Sequence, residues 1–404
     1  MSNVVPFRQE APRPAPDWQA RLLGSFACQR RAAGDVYWLK ENAEVLGILA
    51  RLGARPKPDA LAPYLEFYRD LPNKAQFFPQ YYRFFLSICL DLEDLGIAGL
   101  CGVGGAQTSR TDQGAHLAHW VHGQGLAQAE LSDLQRAEAA NLLARRGVMT
   151  PDAGLHARLM NFIARPQGFA IPNKKAAYEL THIVFYLSRY GTQAAHLPDK
   201  ALQSLEFAGT LAFLECDFDL LAEICLALRF GGRTPSPLWE AWLTRGQGMF
   251  RAVPGTSPGA PTGTSTGTSM GGDAYHPFLV GLWWADVAGA GVAPPQLPSG
   301  AFRIDDTAPR LNPMRLMSEC LYQMGGKRSA SWRRMRRHVI AALDHDSARH
   351  LGMAEIAAPD FDRFFSAFAR AAPMPMSDGK RRATAAGAGG IGVVDHKPRA
   401  DQLF

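Results

Sequence analysis

What this chain lacks narrows its identity first. Its six cysteines (28, 89, 101, 216, 225 and 320) include no CxxC pair, which argues against a zinc ribbon or a disulfide framework and predicts reduced thiols. No segment approaches the roughly 18 uninterrupted apolar residues of a membrane span. Residues 1–8 lack the basic start and apolar core of a signal peptide, so the expected location is cytoplasmic and no membrane partner is expected. Lysine is scarce: of 43 basic residues only 9 are Lys and 34 are Arg, and the net charge of +6 is modest for 404 residues. There is no P-loop and no GxGxxG following a predicted strand, and the two-residue alternation of a half-buried strand is missing almost everywhere.

What is present is helical periodicity. Helices are predicted over about 17–33, 35–53, 58–70, 74–95, 126–146, 152–165, 172–190, 198–215, 218–230, 236–250, 276–288, 309–324, 329–344 and 354–371. Six predicted ends place a glycine just past an apolar run, at Gly53, Gly96, Gly147, Gly191, Gly231 and Gly325, where its left-handed conformation stops a helix. The first five are spaced by 43, 51, 44 and 40 residues, a rhythm of one helical hairpin per unit. The fold class expected is therefore all-α: an array of helical hairpins, most simply a closed α/α toroid, with an open α-solenoid as the alternative. Residues 1–16 are Pro-rich and expected to be flexible; 17–371 form one helical domain. Within it, 252–273 reads by composition as a disordered insert, and 372–404 as a disordered tail.

The stretch Tyr178-Glu179-Leu180-Thr181-His182, continuing through Phe185, Tyr186, Arg189, Tyr190 and Gly191, carries the most chemistry. With Glu179 at zero on a helical wheel, His182 falls near 300°, Tyr186 near 340° and Arg189 near 280°, at about 100° per residue. Only Thr181 and Ser188 look suited to water. A helix this apolar is normally buried, and its charges must then be paired, hydrogen-bonded or metal-bound. Glu179-x-x-His182 has the local spacing that di-iron and di-manganese bundles use, but it serves equally in an interhelical hydrogen-bond network or a metal-free pocket.

Two further segments join it. In Asp217-Phe-Asp219-Leu-Leu-Ala-Glu223, Asp217 reads as a helix N-cap, while Asp219 and Glu223 share a face of an apolar helix. In Tyr275-His276-Pro277, proline at the first helical position puts His276 at the N-cap, where the helix end would favour a neutral imidazole. The expected catalytic residues are Glu179, His182, Glu223 and His276, with Tyr186, Arg189, Asp219 and Trp283 contacting substrate. The expected metal ligands, if a divalent Zn, Mn or Fe ion is held, are Glu179, His182 and His276. Tyr81-Tyr82-Arg83 with Asp91, Glu93 and Asp94 is expected to line the same cavity.

His116, His119 and His122 drift around their helix and suggest a solvated edge. Arg333, Arg334, Arg336 and Arg337 form a basic cluster without any accompanying nucleic-acid motif. The segments 178–191, 217–223 and 275–276 together resemble a set of uncharacterised bacterial, all-helical proteins carrying a Y-E-L-T-H…F-Y-L…G signature, over about residues 170–290. That resemblance implies no known activity. The residues themselves suggest an enzyme with a central acid/His cavity acting on a small organic substrate, of hydrolase, lyase or cyclase type. The alternative is a helical-repeat scaffold that binds a peptide or protein.

Overall fold

The computed structural model describes residues 18–32, 34–101, 112–254, 273–291, 300–304 and 311–371. The expectations for 1–16, for most of the 252–273 insert and for the 372–404 tail lie outside the described residues. Fifteen helices of eight or more residues set the architecture: α1 (Val36–Arg51), α2 (Leu65–Phe77), α3 (Tyr82–Leu95), α4 (Gln113–Gly123), α5 (Asp133–Ala144), α6 (Leu155–Ile163), α7 (Lys174–Leu187) and α8 (Asp199–Leu214) come first. They are followed by α9 (Phe218–Phe230), α10 (Pro237–Gln247), α11 (Tyr275–Ala288), α12 (Pro313–Gln323), α13 (Trp332–Ala341), α14 (His345–Ala357) and α15 (Phe361–Phe368). The protein is all-α. No helix among the described residues is long and apolar enough to cross a membrane.

The odd-numbered helices up to α11 pack on one another in sequence order: α1 on α3, α3 on α5, α5 on α7, α7 on α9, and α9 on α11. Helix α11 also packs on α1. The even-numbered helices α2, α4, α6, α8 and α10 lie against the odd ones on either side of them, and α12–α15 gather outside α8 and α10. Side-chain pairs give the direction of the odd helices. Tyr178 meets Asp219 and Asp219 meets His276 near the helix starts. Phe185 meets Phe230 at 5.9 Å and Phe230 meets Trp283 at 5.7 Å nearer the ends. Arg83 bonds Glu138 early in α3 and α5, whereas Asp91 meets Arg145 late. The odd helices therefore run in the same direction, with their starts at one end of the molecule.

Each of these six helices is followed by a glycine with φ between 63° and 100°: Gly53, Gly96, Gly147, Gly191, Gly232 and Gly289. After α9 the left-handed residue is Gly232, not the predicted Gly231. Gly231 is needed for space instead, since a Cβ there would stand 2.8 Å from the Leu197 side chain.

Three local expectations change. Pro72 does not separate the helices predicted at 58–70 and 74–95; α2 runs through it, and the chain turns at Phe78-Pro79. The predicted helix 236–250 stops at Gln247. Residues Phe250–Pro254 then pair antiparallel with Gly300–Ile304, Phe250 opposite Ile304. Strand geometry is imposed there by packing: Phe250 and Phe302 are buried and sandwich Phe278, at 5.8 and 4.6 Å between ring centroids. The first residues of the proposed insert, 252–254, thus belong to this ribbon. Its far end is anchored by Asp273, which pairs with the guanidinium of Arg30 and accepts from the Phe302 amide at 2.9 Å.

Candidate functional site

Asn173 caps α7 by accepting from the Ala176 amide, and Asp217 caps α9 by accepting from Leu220 at 3.2 Å. Asp217 also binds Lys174 at 2.8 Å, which ties the two helix starts together. With that register fixed, Tyr178 and Thr181 of α7 face Asp219 and Glu223 of α9. The Tyr178 hydroxyl donates to Asp219 Oδ2 at 2.9 Å, and the Thr181 hydroxyl donates to Glu223 Oε2 at 2.6 Å. His276, in the first turn of α11, closes the third side, with Nδ1 3.0 Å from both oxygens of Asp219. One ligand-type atom from each of Asp219, Glu223 and His276 lies within 4.8 Å of the others.

His182 stands beside this group. Its Nδ1 is 2.8 Å from the Tyr178 carbonyl and 3.7 Å from Glu223 Oε2. A ring nitrogen bonded to a carbonyl carries the proton, so Nε2 is left as the basic nitrogen. The site is neither sealed nor open: the Glu223 side chain is 3% exposed, while those of His276 and His182 are 30% and 36% exposed.

The electrostatics separate the two carboxylates. Burial works against ionisation of Asp219, but the charge of His276 and the hydrogen bonds from His276 and Tyr178 outweigh it and hold the carboxyl below its ordinary range. Glu223 is pushed up by burial and by Asp219, against the opposing pull of His182. At His276 burial disfavours the charged ring, yet Asp219 and Glu44 raise its pKa to about 10. That reverses the expectation of a neutral imidazole at the helix start. The N-cap is Ala274 and not His276, and a full negative charge at 3.0 Å dominates the partial charge of a helix end. The phenol of Tyr178 is driven up by burial and by Asp219.

The predicted site residues divide clearly. His182, Asp219, Glu223 and His276 come together, and Tyr186 packs edge-on against His182 at 6.2 Å. Glu179 stands apart, half-buried and with no hydrogen bond or ion pair among the described residues. Tyr178, one residue earlier and rotated by about 100°, makes the contact to α9 instead. Arg189 lies beyond the end of α7, exposed and with φ 46°, and does not join the group. Trp283 is 5% exposed and packs among Phe185, Tyr190 and Phe230, so it belongs to the apolar core behind the site. Thr181 and Ser188, which looked suited to water, are both fully buried. Each bonds a helix carbonyl three residues back, and Thr181 also supplies the donor to Glu223. No sequence signal distinguished them.

Asp91, Glu93 and Asp94 sit at the other end of the odd helices. Arg145 holds Asp91 at 2.9 Å and Asp94 at 2.6 Å, and Arg146 holds Glu93 at 2.6 Å. Arg51 reaches Asp91 at 3.7 Å and lies 3.7 Å over the Tyr190 ring. Tyr82 and Arg83 bond Glu130, and Arg83 also bonds Glu138. His116, His119 and His122 are all exposed on α4, as a solvated edge requires. The α13 arginines are exposed too, with Arg336 paired to Glu355 at 3.0 Å. A surface hollow of about 310 Å³ is lined by Gln128, Arg136, Asp152 and Leu155 and by none of the residues gathered around Asp219.

The fold and site define a class: an all-helical protein in which carboxylates and imidazoles from three parallel helices meet near the helix starts. The chain belongs to the family described as a domain of unknown function (DUF6902), whose model matches residues 1–371. No curated protein and no solved structure matches the chain.

Proposed function

We propose that this chain is an enzyme acting on a small organic substrate, by hydrolysis, elimination or cyclisation, where α7, α9 and α11 begin. The observation that carries the reading is the pair of imidazoles, His182 and His276. Each has Nδ1 held by a fixed acceptor and part of its ring exposed, beside two carboxylates one helical turn apart. A network serving only to tie helices together gains nothing from leaving ring nitrogens accessible. His182 is the general base, because the Tyr178 carbonyl fixes the tautomer that leaves Nε2 free to take a proton. Asp219, Glu223 and His276 form the polarising centre against which charge develops. Tyr186 flanks the base.

The same reading takes the six odd-numbered helices as the inner wall of a closed α/α toroid, with the even ones outside. The packing of α11 on both α9 and α1 supports closure. A cytoplasmic location fits the five described cysteines, all of them free. The test combines activity with stability. The purified chain is assayed on chromogenic esters and on phosphomono- and phosphodiesters, and His182→Ala is melted beside the wild type. Turnover abolished at an unchanged melting temperature supports the enzyme. No turnover of any substrate, together with a melting temperature that drops in His182→Ala, favours the peptide-binding scaffold.

A further inference from the structure

The Asp219–Glu223–His276 group has the layout of a metal site with its supporting shell already in place. Asp219 and Glu223 each have one oxygen engaged by a hydroxyl from α7: Oδ2 by Tyr178 and Oε2 by Thr181. Such outer bonds hold a carboxylate so that its second oxygen points at an ion. Glu223 Oε1 has no protein partner among the described residues, although its side chain is nine-tenths buried or more. The Nδ1 of His276 lies 3.0 Å from Asp219 Oδ1, at hydrogen-bond distance. Ligand atoms about 2.0–2.2 Å from one ion stand roughly 3–4 Å apart. The observed limit of 4.8 Å is therefore a small contraction away from such a set.

We propose that Asp219, Glu223 and His276 bind a divalent transition-metal ion, of the Zn²⁺, Mn²⁺ or Fe²⁺ class, in place of the proton between His276 and Asp219. Two carboxylates balance the charge of such an ion, and a mixed oxygen and nitrogen donor set suits this class over calcium or magnesium. Three protein ligands leave coordination positions open, the pattern of a catalytic and not a structural site. The ligand set differs from the expected one: Asp219 and Glu223 replace Glu179 and His182, and His182 stands beside the ion as the base. The inference rests on the enzyme reading above and supplies its electrophile.

Titration calorimetry of the full chain, stripped with chelator and then given ZnCl₂ or MnCl₂, tests it. The expected result is one ion per chain, with affinity reduced at least tenfold in His276→Gln and in Glu223→Gln. Thr181→Val, which leaves all three ligands in place, is expected to weaken binding by about 10–100-fold through the outer shell alone. This conservative variant keeps the test informative if either ligand variant fails to fold. His119→Ala is expected to bind as the wild type does. Absence of uptake at millimolar metal, or uptake unchanged in His276→Gln and Thr181→Val, overturns the proposal. Turnover that is lost in His182→Ala yet unaffected by chelator overturns the metal and leaves the enzyme standing. Metal uptake without turnover of any substrate sustains the site and removes the enzyme reading.

Discussion

The two ends of the odd-numbered helices both hold buried acids, and they neutralise them differently. At the far end Asp91, fully buried, lies between the guanidinium groups of Arg51 and Arg145. Behind it the rings of Phe185, Tyr190, Phe230 and Trp283 fill the space. Guanidinium does not titrate in a protein, so the cations at this end stay charged. At the near end Asp219 and Glu223 face imidazoles and hydroxyls, which exchange protons and accept metal ions. One end is built to stay fixed, and the other has the means to change state.

The sharpest way to break this contrast is at the far end. Asp91→Ala leaves Arg51 without its carboxylate and Arg145 with Asp94 alone, and should cost about 3–5 kcal/mol, read by chemical denaturation. A loss below about 1 kcal/mol would mean that water already screens the arginines. Trp283→Ala empties the aromatic plug and should cost a further amount of about 3–5 kcal/mol when measured alone. If it instead altered turnover without altering stability, Trp283 would belong to the site after all. Gly191→Ala is expected to cost about 1–3 kcal/mol, because φ is 87° and a Cβ would collide with the Phe230 ring. Near the helix starts the effects should shrink. Thr181→Val removes one hydrogen bond to a carboxylate, worth about 1–2 kcal/mol in a thermal melt. Smallest of all should be Glu223→Gln, which retains the acceptor for Thr181 and relieves a buried acid; we expect its stability to stay within about 1 kcal/mol of the wild type, or to rise. A drop as large as that of Asp91→Ala would make the two ends equivalent and the near one structural.

Much of this was legible in the residues. The glycine rhythm gave the hairpin units, since a left-handed stop after an apolar run is a local property of the chain. The cap Asp217 places the start of α9 by an equally local hydrogen bond. His182, Asp219, Glu223 and His276 stood out because ionisable groups on apolar helices need partners. The partners themselves were not legible. Thr181 looks like a surface residue until α9 covers it, and Phe250–Pro254 reads as a helix end running into a flexible insert until Phe278 and Phe302 claim it as strand.

The sequence alone determined the helices, most of their stops and which side chains were chemically unusual, because those follow from periodicity and from backbone preference over a few residues. Only the tertiary structure decided that Tyr178 and not Glu179 faces α9, that Arg189 lies past the helix end, and that His276 is charged by Asp219 despite its place at a helix start. Each of those outcomes depends on how three helices far apart in sequence are rotated about their axes, and on full charges brought within hydrogen-bond distance, which no single segment encodes.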